Sequence, residues 1–252
     1  MAAMPAPLAP TPAESAPLSE PARILNTFIA PRKTFTDLRR NANWWGPFLL
    51  IVIFSLSFVY IGGEKVGFRK IMENQLRAQP KRQAQIENLP ADQREQQMEK
   101  GAAISKYISY GFWAIQLIIL LIISAVLFAT FKFAAGADIK FKVAFAIVMY
   151  AGLPGLIRVL LAILSLVTGA SPDSFTFQNP VATNPGYFMN PADSPFLYSV
   201  ASSCDVFLIW TLVLTAIGFT CVSKVKGGTA FAVVFGWWLF FTIAGAGLAS
   251  LA

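Results

Sequence analysis

The chain contains no histidine. That removes the commonest general base and the commonest metal ligand together, and with them any Ser–His dyad or histidine-held zinc. Cysteine is scarce too. Cys204 and Cys221 are the only two, and on one helix they would stand about 25 Å apart, beyond the reach of a disulfide. Charged residues make up only 13%, with 13 Asp and Glu against 20 Lys and Arg. The basic residues flank apolar runs and form no patch interleaved with aromatics, so contact with lipid headgroups is expected and nucleic acid is not. These absences leave no catalytic residue, no cofactor and no metal site to expect. Only one intramembrane Asp is available, so an aspartyl pair within the chain is excluded as well.

What the chain has in abundance is apolar side chains, at 56% of residues and a mean hydropathy of +0.58. Those values lie outside the range of water-soluble domains. The pattern predicts an all-α, polytopic membrane helix bundle with transmembrane helices over residues 45–61, 108–131, 143–167, 196–222 and 229–251. Residues 1–21, rich in Ala and Pro, have neither an apolar face nor a charged start leading into an apolar core. They are expected to be a disordered tail and not a signal peptide. Residues 22–252 then form the membrane domain.

That domain opens with a basic, aromatic-bearing stretch from Arg23 to Arg40, with Ile24, Leu25, Phe28 and Ile29 at helical spacing. Such a segment ahead of a span is expected to lie at the interface and to favour anionic lipids, with Phe28, Phe35, Trp44 and Trp45 as interfacial anchors. Residues 64–106 are the one sizeable polar section, expected as a helical insertion whose last helix runs into the second span. Between the third and fourth spans, residues 168–195 carry Asn-Pro at Asn179, Asn184 and Asn190, which predicts turns in a loop long enough to be functional or mobile. Asp138 is a candidate N-cap for the third span, and Asp193-Ser194-Pro195 is a candidate helix start for the fourth, with a capping side chain ahead of an N-terminal proline. In the fifth, Ala232, Gly236, Gly245 and Ala249 are expected to permit close helix contact.

The third span departs from the pattern of the others. Gly152, Pro154 and Gly155 predict a helix break, and Arg158 follows four residues past the proline. An arginine at that depth costs about 2.5–3.5 kcal/mol on insertion scales unless it is paired. The one acidic residue in another span is Asp205. Antiparallel third and fourth spans would bring both charges to similar depth, so an intramembrane ion pair of Arg158 and Asp205 is expected. On that basis, exchanging the two charges should recover part of what either alanine substitution loses.

Counting Lys and Arg near span ends gives ten on the N-terminal side, at Arg23–Arg40 and in the links 132–142 and 223–228, and none in 168–195. This favours a cytoplasmic N-terminus, although the nine basic residues of 64–106 would then face outward.

Pro31-x3-Phe35-x2-Leu38 ahead of Trp44-Trp45-Gly46-Pro47, Tyr150-Ala151-x2-Pro154, Asp205-x-Phe207-x2-Trp210, and the run from Leu214-x2-Ile217-Gly218 through Lys224 to Trp237 resemble the Yip-domain (Ypt-interacting protein) family of five-span membrane proteins, especially its bacterial members. The resemblance implies five helices, a cytoplasmic N-terminal region and, in a bacterium, residence in the cytoplasmic (inner) membrane. In eukaryotic relatives a longer cytoplasmic region carries a link to Rab GTPases; here a proline-rich tail stands in its place. The expected function is that of a non-enzymatic scaffold or adaptor, or of a protein that shapes the bilayer, with a membrane-protein partner or a second copy of the chain as candidate partners. The alternative is a transporter, channel or lipid-translocating subunit that uses the broken third helix and the Arg158/Asp205 pair.

Overall fold

The computed structural model describes residues 16–169 and 171–251. Most of the expected tail therefore lies outside the described residues, but its last two residues, Glu20 and Pro21, already belong to a helix. Helix α1 (Glu20–Ile29) starts where Ser19 accepts from the Ala22 N–H and Pro21 occupies the first turn. Helix α2 (Pro31–Asp37) follows after a single residue.

Helix α1 inverts the expected amphipathicity, while α2 keeps Phe35 inward. Arg23, Thr27, Thr34 and Asp37 are buried, while Leu25 and Ile29 stand 59% and 71% exposed. Their polar stripe faces the protein because a network receives it there. Arg23 Nε donates to Asp37 Oδ2 at 2.7 Å, Arg23 Nη1 to Glu20 Oε1 at 3.0 Å, and the Tyr150 hydroxyl to Glu20 Oε2 at 2.6 Å. Thr27 and Thr34 both donate to the Arg23 carbonyl at 2.8 Å. In an apolar surround each of these bonds replaces a water that could not follow, so the network is all or nothing. The expected anchors are corrected accordingly. Phe35 is fully buried, its ring close enough to Gly218 that a Cβ there would lie 3.2 Å from it, and so it is a core residue. Phe28 packs edge-on to Trp210 with centroids 5.9 Å apart. Trp44 stacks on Trp45 at 4.3 Å and also meets Phe145 edge-on, leaving Trp45, 60% exposed, as the outward-facing ring.

Helix α3 (Trp45–Lys65) is the first crossing. Gly67, at φ 85°, turns the chain into α4 (Phe68–Arg77). After α5 (Pro80–Glu87), the 39-residue α6 (Ala91–Ala129) runs from the polar section into the membrane without a break and ends in a π-helical turn at Thr130–Ala134. The third crossing comprises α7 (Phe141–Ala151) and α8 (Pro154–Val167), interrupted at Gly152 and Leu153. Lys140, not Asp138, stands at the N-cap of α7, with no side-chain cap bond. The expected fourth span is not a single helix. It divides into α9 (Pro195–Ser203), capped by Ser194, and α10 (Val206–Val222), bent by 54° at Cys204-Asp205. Helix α11 (Gly227–Leu251) completes the chain. By length and composition four helices can cross a membrane, or five when the bent pair counts as one crossing; among the described residues there is no strand.

The near half of the bundle, on the side of α1 and α2, is tightly packed. Phe131 stacks on Phe219 at 3.9 Å, and Ile147, Tyr150, Phe35 and Leu38 are fully buried around them. Gly218 permits this approach, since a Cβ there would lie 2.4 Å from Ile147 Cγ2. In α11 the buried stripe is Ala230, Val234, Thr242 and Ala246. Of the small residues expected at helix contacts, Ala232, Gly236 and Gly245 face outward.

Candidate functional site, an intramembrane ion pair beneath a folded loop

From Phe175 onward the loop between the third and fourth expected spans packs as a cap on the far half of the bundle. Phe175 and Phe177 meet Phe58 edge-on at 6.0 and 5.3 Å. Asn74 of α4 donates to the carbonyls of Pro172 and Phe175, at 2.8 and 2.9 Å. Two of the Asn-Pro pairs hold the loop together from inside. Asn184 donates to Asn179 Oδ1 at 2.8 Å, Asn179 returns a bond at 3.3 Å, and Asn184 Oδ1 caps Tyr187 N–H at 3.0 Å in a 3₁₀ turn, Pro185–Phe188. Gly186 is required here, because a Cβ would come within 2.7 Å of the Ser202 backbone nitrogen. On the outside, Lys70 of α4 lies 2.7 Å from Asp173 and holds that exposed carboxyl below the usual carboxylate range. The loop and the 64–106 insertion therefore share the far face, as alternating crossings require.

Under this cap the structure brings Arg158 of α8 and Asp205 together, Nε to Oδ2, at 3.4 Å. Asp205 is 3% exposed and does more than balance a charge. Its Oδ1 accepts from the Phe207 and Leu208 N–H groups at 2.9 and 3.2 Å, which makes it the N-cap of α10. Its Oδ2 also accepts from the Thr183 hydroxyl, and Val206 N–H donates to the Thr183 carbonyl at 3.1 Å. The helix break at Cys204-Asp205 thus exposes backbone donors that the carboxylate satisfies, and the loop fixes the carboxylate in turn. Arg158 Nη2 donates to the Gln178 carbonyl at 3.0 Å.

The pair lies in the wall of a cavity of about 710 Å³ bordered by α3, α6, the start of α8 and the start of α10, with α4 and α5 above it. Gly152 and Gly155 line it, and Pro154 is buried beside them. The predicted helix break therefore borders the site. Arg82 of α5, Gln178, Ser202 and Gln116 of α6 are among its other polar lining residues. The role of Thr183 and Gln178 was not visible in sequence, because loop residues 20 or more positions away carry no periodic signal. Glu20, Arg23 and Asp37 were equally hidden as a network, although their polar stripe alternates with Ile24 and Phe28. Among the described residues, no group of three His, Cys, Asp or Glu is placed to hold a metal ion.

A bundle of four or five apolar crossings around a half-buried arginine paired with a buried aspartate defines a polytopic integral membrane protein. The family model of the Yip1 domain matches residues 25–248, and the chain belongs to that family. No curated protein and no solved structure matches the chain.

Proposed function

We propose that this chain is a non-enzymatic Yip-type scaffold that shapes the bilayer locally, with the α1–α2 hairpin as a wedge in one leaflet. The observation that carries this is the inverted hairpin. Leu25 and Ile29 face outward while Arg23, Asp37, Glu20 and Tyr150 bind the hairpin to the bundle. A rigidly held apolar face displaces lipid on one side of the membrane only. Arg32, Lys33, Arg39 and Arg40 are exposed nearby and suit an anionic leaflet, at about 1 kcal/mol per basic residue. The lysines and arginines of the near-side links support an N-terminus in the cytoplasm of a bacterial host. The apolar outer faces of α6 and α11 would serve a membrane-protein partner or a second copy.

The test is reconstitution into anionic vesicles. The wild-type chain should reduce vesicle diameter or draw tubules, and Leu25→Ser with Ile29→Ser should lose most of that effect while keeping the melting temperature. Vesicles left unchanged by the wild type, or remodelled equally by the double variant, would reject the wedge. A transporter or channel built on the broken third span draws support from the cavity, but Phe145, Met149 and Tyr150 are packed to 4% exposure or less below it. That packing favours occupancy over conduction.

A further inference from the structure

The cavity beside Arg158 has a shape and a charge that the wedge does not use. We infer that it binds one phospholipid with an anionic headgroup, drawn from the far-side leaflet, with the phosphate on Arg158 and the acyl chains leaving between α6 and α10. Its volume, about 710 Å³, falls within the roughly 300–1,000 Å³ typical of small-molecule sites. That is room for a headgroup, the glycerol and the upper parts of the chains.

Three observations choose the occupant. The first is the opening. Ile104, Ile108 and Phe112 of α6 and Leu208 of α10 line the cavity, yet they are 57%, 54%, 46% and 37% exposed. Helix α6 packs chiefly on α7, α4 and α3, so its far half stands away from α10 and the gap faces hydrocarbon. A ligand that enters sideways past leucine and isoleucine side chains is an amphiphile.

The second is the spare hydrogen-bonding capacity of the guanidinium. Arginine carries five N–H donors, and only the Nη2 bond to Gln178 is made among the described residues. The Nε group is buried and makes no hydrogen bond, its distance to Asp205 being that of an ion pair alone. Asp205 is satisfied from the other side by Phe207, Leu208 and Thr183. Arg158 is therefore held in place by the acid while Nη1 remains available, in the fork geometry that suits phosphate oxygens.

The third is the charge balance of the lining. Its charged residues are Arg158, Arg82 and Asp205, and Asp205 neutralises one arginine. The remaining charge is positive and lies on the side of α5, where a headgroup ammonium would meet Arg82. An anionic headgroup is favoured over a zwitterionic one for that reason, and Gln116 stands deeper among the apolar walls, within reach of the ester carbonyls.

The full chain, purified and then delipidated in mild detergent, should be offered phosphatidylglycerol, phosphatidylcholine with the same chains, and inorganic phosphate. Native mass spectrometry and melting temperature are the readouts. One phosphatidylglycerol per chain should remain bound, at least tenfold more than phosphatidylcholine, with a rise in melting temperature that phosphate alone does not give. Arg158→Gln should reduce retention tenfold or more. Gly155→Leu separates binding from folding. Gly155 lines the cavity and a Cβ there meets nothing within 4 Å, so leucine should fill the space, abolish retention and leave the unliganded melting temperature intact. Equal retention of both lipids, unchanged retention in Gly155→Leu, or the same stabilisation by phosphate alone would each overturn the inference. Vesicle remodelling by the α1–α2 face is unaffected by any of these outcomes, so the two proposals stand or fall separately.

Discussion

Replacing Asp205 by asparagine and by alanine separates the two tasks of one carboxylate. Asparagine caps helices about as well as aspartate, so Asp205→Asn keeps the bonds to Phe207 and Leu208 but loses the charge opposite Arg158, and its amide nitrogen can only donate to Thr183 where Oδ2 accepted from it. Arg158 is 30% exposed on its side chain, which limits the loss to about 1–2 kcal/mol. Alanine also removes the cap, about 1 kcal/mol, and orphans the Thr183 hydroxyl, roughly another 1 kcal/mol. The total expected for Asp205→Ala is about 3–4 kcal/mol. Equilibrium unfolding by SDS in mixed micelles measures both. Asparagine as damaging as alanine would mean that the cap and a polar partner for Thr183 contribute nothing. Asparagine equal to wild type would mean that the ion pair contributes nothing. The charge exchange Arg158→Asp with Asp205→Arg, which sequence alone expects to recover stability, should fail to do so here. An arginine at 205 cannot accept from the α10 N–H groups, and it sets a positive charge against the positive end of that helix.

Phe35→Ala should cost about 3 kcal/mol in the same assay, because the ring fills a fully buried site against Gly218 and Ile147; a loss below 1 kcal/mol, the size expected of an exposed anchor, would place Phe35 at the surface instead. In a background without Cys204 and Cys221, single cysteines at Ala182 and Gln85 should react with an impermeant thiol reagent from the same side of intact cells, and one at Gly227 from the other; any other pattern refutes the shared far face. The Lys70–Asp173 contact should respond to acid. Asp173 binds its proton less readily in the folded chain than in the unfolded one, where the value is about 3.9, so its contribution is present above that pH and is lost as pH falls through the lower folded value. A spin label at Ser171 should therefore gain mobility only as pH falls below the ordinary carboxylate value of about 3.9 and through the lower folded one, while Asp173→Asn should be mobile throughout; a label indifferent to both would discard the tether.

The sequence by itself determined that this is a helical membrane protein, and it located the apolar crossings, because roughly 20 consecutive apolar residues have few other fates. It also singled out Arg158 and Asp205, since a charge in hydrocarbon must find a partner and the chain offers few. The tertiary structure decided what surrounds them. Whether the stripe Arg23–Thr27–Thr34–Asp37 faces water, headgroups or protein depends on Glu20 and Tyr150, and a hydrogen bond spanning 130 positions leaves no periodic trace. The expected fourth span is apolar enough taken as a whole to read as one helix, so hydropathy could not show that Asp205 ends one helix and caps the next. Only the loop that supplies Thr183 makes that bend favourable. The cavity is likewise a property of assembly, because the sequence sets the length of α6 but the packing of its near half on α7 sets how far the other half stands from α10.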